Sequence, residues 1–147
     1  MPALMKFLHV LAAIAWLGGI SFMLFALRPA AAELLAAQRL PLIAQTLKRF
    51  FSLAWAAIIV LLLTGLAMLL GVGMKNAPAG WHAMLGIGLV MFALFGHLYF
   101  GPFRRLQQAV SAANWPEGGR RVGQIATLAT VNLGLGVLAI AAIFFMA

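Results

Sequence analysis

The chain of 147 residues has no cysteine and no aspartate, and only two acidic residues, Glu33 and Glu117. Without cysteine, disulfides, thiolate metal sites and cysteine nucleophiles are excluded. With two isolated glutamates, both outside the apolar runs, paired-carboxylate catalysis, buried carboxylate proton relays and oxygen-rich cation sites lose their donors. Charge is scarce altogether. Charged residues make up 8% and hydrophobic residues 65% of the sequence, against about 25% and 45–50% in soluble chains. So few polar side chains cannot cover a water-soluble particle. No glycine-rich phosphate loop is present either: Gly71-Val72-Gly73 and Gly86-Ile87-Gly88 lack a strand–turn–helix setting and read as loop and packing glycines.

What is present is long apolar runs. They predict four membrane spans at about 3–27, 50–72, 81–100 and 122–146, each near the roughly 20 residues that a spanning helix needs. Arg28-Pro29 and Gly101-Pro102 are expected to end the first and third spans. The segment at about 30–49, interrupted by Pro41, reads as an interfacial lead-in to the second span, and Trp115-Pro116-Glu117-Gly118-Gly119 as a polar loop before the fourth. Ala30-Ala31-Ala32 loosely resembles a signal cleavage site, but the apolar run before it exceeds the usual 7–15 residues of a signal core. The expected architecture is a single all-α domain over 1–147, an antiparallel four-helix bundle integral to the membrane.

The excess of basic residues, a formal net charge of +8, serves orientation here rather than nucleic-acid binding. Arg28, Arg39, Lys48 and Arg49 follow the first span, and Arg104, Arg105, Arg120 and Arg121 follow the third. Only Lys6 and Lys75 fall on the opposite side. By the positive-inside rule, these loops face the cytoplasm and both termini are periplasmic, in a multi-pass protein of the bacterial inner membrane.

Strong neutral ligands are limited to His9, His82 and His97. At 1.5 Å per residue, His9 lies roughly 9 Å into the first span, and His82 sits in the first turn of the third, at the same end. His97 is about 22 Å further along and belongs to the cytoplasmic end. Two inward histidines from different helices suit the axial ligands of a b-type haem. Small residues in spans one and four, among them Gly18, Gly19, Gly134 and Gly136, would make room, with Trp16, Trp55, Trp81 and Phe92 as flanking aromatics. The bland alternatives are interfacial anchoring for His82 and His97 and close helix packing for the small residues. A soft-metal reading uses His9 and His82 with Met5, Met74 and Met84 near the same end, a set suited to Cu(I).

Leu8-His9-Val10 followed by Trp16-Leu17-Gly18-Gly19 resembles the first helix of the CopD family, as does Arg49-Phe50-Phe51-Ser52 leading to Thr64-Gly65 in the second. Gly80-Trp81-His82-Ala83-Met84 through Gly96-His97 resembles the related HemJ group. The resemblance implies either copper uptake, as in CopD proteins, or a four-helix haem b protein. In the HemJ group a first-helix histidine, matched here by His9, and a third-helix lysine serve protoporphyrinogen oxidation. Met84 stands where that lysine is expected, and Phe25-Ala26-Leu27-Arg28-Pro29 replaces the group's Tyr-Leu-Pro-Arg run. Both departures speak against that oxidation and leave haem binding open.

The leading expectation is therefore a haem b protein with an electron-transfer or redox role and a redox partner the sequence does not name. His9 is the first ligand, His82 the second, Met84 and His97 the alternatives, with Trp16 and Gly19 beside the group. Copper uptake or tolerance is the alternative, and a cofactor-free structural subunit the next. Catalytic residues are not identifiable. The lipid bilayer is the expected surrounding, and the small-residue faces permit a homodimer.

Overall fold

The computed structural model describes residues 2–146. It is helical throughout, with no strand among the described residues. Four helices are long and apolar enough to cross a membrane: α1 (Ala3–Ala31), α2 (Ala36–Val72), α3 (Ala79–Ser111) and α4 (Trp115–Phe145). Even the shortest extends about 44 Å at 1.5 Å per residue, beyond a hydrocarbon core of about 30 Å. Their outer faces are apolar. Ile14 is 63% exposed, Leu63 63% and Phe144 74%, a surface that only lipid covers without cost.

Two of the helices run through prolines that the sequence suggests as stops. In α1, residues Met23–Leu27 form a π-helical turn ahead of Arg28-Pro29, and α3 does the same over Tyr99–Phe103 around Pro102. Proline has no N–H for the carbonyl four residues back, and its ring crowds that carbonyl. A wider π turn relieves the crowding and lets the helix continue. Likewise, the segment before the second span is not separate from it. Residues Ala36–Val72 form one helix with Pro41 inside it.

The polar stretch at Trp115 is helical as well, and its residues explain why. Asn114 is the N-cap, its side chain accepting from the Glu117 N–H at 3.4 Å, and Pro116 occupies the first turn. Glu117 lies where the helix dipole favours an anion and binds Arg120 and Arg121, both at 2.6 Å. Gly118 permits the close approach of α2: a Cβ there would meet Leu40 Cδ1 at 3.0 Å.

Short connections over residues 32–35, 73–78 and 112–114 make the helices antiparallel neighbours. Helix α1 packs chiefly on α2, and α3 chiefly on α4, so the bundle consists of two hairpins. Their shared core lies towards the arginine-rich end. There Leu40, Leu47, Phe51, Phe95, Leu98, Phe103 and Leu106 are buried, with Phe51 and Phe103 edge-to-face at 4.8 Å. Towards the His9 end the hairpins part.

Candidate functional site

The gap between the hairpins at the His9 end is a cavity of about 430 Å³ lined by all four helices. Helical periodicity selects the lining. From α1 come Lys6, His9, Ala13 and Trp16; from α3 come Trp81, Met84, Gly88, Met91 and Phe92. Both sets step by three and four residues and so form one face of each helix. Helix α2 adds Gly65 and Met68, and α4 adds Gly136 and Ala139. Gly136 matters for access: a Cβ there would collide with the Leu17 side chain and come within 3.3 Å of Met91 Cε.

His9 is the one imidazole on this lining among the described residues, and a neighbour orients it. Its Nδ1 lies 2.9 Å from Thr64 Oγ1. The Thr64 hydroxyl is buried and donates to the Val60 carbonyl at 2.6 Å, so its proton is committed within α2. Thr64 Oγ1 can therefore only accept from the ring, which places the imidazole proton on Nδ1. In a neutral imidazole protonated at Nδ1, Nε2 carries the free lone pair. Such a hydrogen bond to the distal nitrogen is how proteins fix the tautomer and raise the basicity of metal-ligating histidines. Gly65 completes the seat, since a Cβ there would press on His9 Cε1 at 3.3 Å.

The other two histidines lie elsewhere. His82 is exposed, and its Nε2 bonds the Met74 carbonyl at 2.8 Å, holding the turn after α2. It is two residues from Met84, about 200° around the helix, and so faces away from the cavity. His97 is exposed in the other half of the bundle, beside the π turn. Gly19 is not part of the cavity: it lets Phe50 of α2 lie against α1, where a Cβ would overlap the ring. Trp16 and Met84 do line the cavity. No cluster of three or more histidine, cysteine or acidic residues that could hold a metal occurs among the described residues. The soft donors on the same cavity lining are thioethers, Met68, Met84 and Met91.

Sequence reasoning missed Met68, Met91 and Lys6 as lining residues and met Thr64 only in the Thr64-Gly65 pair of the second helix. The signal for Met91 was available: Trp81, Met84, Gly88 and Met91 share the periodicity of a single face.

No curated protein and no solved structure matches this chain. A family model described as "CopD: Copper resistance protein D" matches residues 44–146, spanning most of α2 and all of α3 and α4, with His9 lying ahead of the matched region. The match covers well over half of the sequence, and the chain belongs to the CopD family, as a copper-resistance-related multi-pass membrane protein.

Proposed function

We propose that this protein holds Cu(I) in the cavity at the His9 end, through His9 Nε2 and thioethers drawn from Met68, Met84 and Met91. The observation that carries the reading is the Thr64 tether, which leaves an unprotonated imidazole nitrogen in an apolar cavity lined by three methionines. Imidazole and thioether donors without any carboxylate favour a soft monovalent ion over hard divalent ones. The copper is cargo, and membership of a copper-resistance family supports that assignment. A conducted ion needs weak sites in succession across the membrane. Beyond this cavity, the one methionine on a second cavity's lining among the described residues is Met23, so the site reads as one of capture and holding. The distribution of arginine and lysine supports a bacterial inner-membrane setting with the His9 end periplasmic.

A second reading, haem b with a redox role, has an observation of its own. The cavity is large and apolar, with Trp16, Trp81 and Phe92 on its lining and Lys6 available to an acidic substituent. These residues fit the group. His9 and a methionine thioether would hold the haem, and it would supply one-electron chemistry. It ranks second because the cavity receives no second histidine.

One preparation separates the readings. The protein is purified in detergent, its oxidised and reduced spectra are recorded, and Cu(I) is titrated anaerobically against a chromogenic chelator. The expected result is a colourless protein that binds Cu(I), at least about tenfold more weakly after His9→Ala and unchanged after His82→Ala or His97→Ala. A Soret band lost in His9→Ala would install the haem reading instead. Copper binding indifferent to His9→Ala would overturn the proposal.

A further inference from the structure

A second cavity, of about 50 Å³, lies towards the arginine-rich end. Its walls are almost wholly apolar, with Ile20, Leu47, Phe51 and Ile125 among them, and Arg28 is its one charged lining residue. Two polar side chains on this lining are unusual. Trp16 and Asn132 are each only 2% exposed, and the Trp16 indole N–H and the Asn132 side-chain carbonyl have no hydrogen-bond partner among the described residues. The orientation of the Asn132 amide is set on its other side, where Nδ2 donates to the Met91 carbonyl at 3.2 Å. Oδ1 is therefore the orphan, and rotating the amide would only exchange one unmet group for another.

Buried polar groups are almost always satisfied, because leaving one unmet in an apolar interior is costly. Here one orphan is a donor and the other an acceptor, and both belong to residues lining the same cavity. A molecule that accepts one hydrogen bond and donates another satisfies both. Water is the smallest such molecule, and a site for one needs only about 10–15 Å³ of such space. Met23, Leu24 and Leu27 of the π turn of α1 lie on the cavity wall next to Arg28.

We infer that the smaller cavity is a hydration site, in which water entering past Arg28 bridges the Trp16 indole N–H and Asn132 Oδ1. Trp16 is the one residue that lines both cavities among the described residues. Hydration on its inner side leaves the indole as the partition between water from the arginine-rich end and the His9 cavity. The inference stands on the orphaned atoms and holds whatever occupies the larger cavity.

The test is hydrogen exchange and water contact at the indole, in metal-free protein labelled with ¹⁵N-tryptophan in detergent micelles. The chain has four tryptophans, so each spectrum carries three internal references, and Trp16→Phe assigns the resonance in question. A cross-peak between water and the Trp16 indole N–H is expected. It should vanish in Asn132→Leu, which removes the acceptor, and in Ala129→Leu, which fills the cavity while leaving Asn132 and its Met91 bond in place. A wild-type indole protected for hours with no water cross-peak would overturn the inference. So would a cross-peak that survives Ala129→Leu, because the water would then lie elsewhere.

Discussion

The two halves of the bundle are built from the same residue types and end in opposite conditions. At the arginine-rich end, aromatic rings interlock: Phe51 meets Phe95 at 5.2 Å and Phe103 at 4.8 Å, and Trp55 meets Phe95 at 5.0 Å. At the His9 end, alanine and glycine occupy the facing positions, and about 430 Å³ stays open. Packed rings hold the hairpins together; small residues on α4 opposite flexible methionines on α3 leave room for a guest. The difference supports the proposed division of tasks between a scaffold and a receptor.

The largest expected effect tests the scaffold. Phe103→Ala removes a buried ring from the interlocked half and should destabilise the protein by about 3–5 kcal/mol. Met84→Ala, on the lining of an existing cavity, should cost under about 1 kcal/mol. Helicity followed during titration with a denaturing detergent measures both. Equal losses would mean that the hairpins are held together evenly along their length. Next comes Gly19→Ala, which sets a Cβ into the Phe50 ring and forces α1 away from α2. Overpacking of that kind costs about 1–3 kcal/mol, read in the same titration.

The receptor half is tested by changes that spare the fold. Thr64→Val keeps the shape of the side chain and removes the acceptor for the His9 Nδ1–H. Loss of such an orienting partner weakens metal binding by about 10–100-fold, and Thr64→Ser should restore it. The chelator competition reads the affinity, while the unfolding midpoint moves little. If Thr64→Val instead unfolds the bundle and leaves copper affinity intact, the tether belongs to the scaffold.

Much of this was legible in the residues. Apolar run length gives four helices, arginine placement gives an end distinct in charge, and His9 stands out as a polar ring deep in a span. The helix ends were harder to read. Pro29 and Pro102 are stop signals in most chains, and only the geometry of a π turn shows how a helix passes them. Depth alone does not bring a second imidazole to the cavity. His82 matches His9 in height, but its position relative to Met84 and Trp81 sends it to the outside, to the Met74 carbonyl. Thr64 was hidden for another reason: its role depends on a contact 55 residues away, between two helices whose rotation no local pattern fixes.

The smallest expected effect returns to the arginine-rich end, at the start of α4. Asn114 caps this helix, and the bond it accepts from Glu117 N–H is long, at 3.4 Å. Replacing an N-cap with alanine costs about 0.5–2 kcal/mol, and a bond of this length places Asn114→Ala at the low end of that range. Asn114→Asp keeps the acceptor and adds an anion at the helix start, so it should be at least as stable as the wild type. If both substitutions leave the unfolding midpoint unchanged, the Trp115–Phe145 helix is held from within, by Gly118 against Leu40 and by the neighbouring rings, and its polar start adds nothing to the scaffold. If alanine alone lowers it, the cap is part of what makes this end rigid while the other stays open.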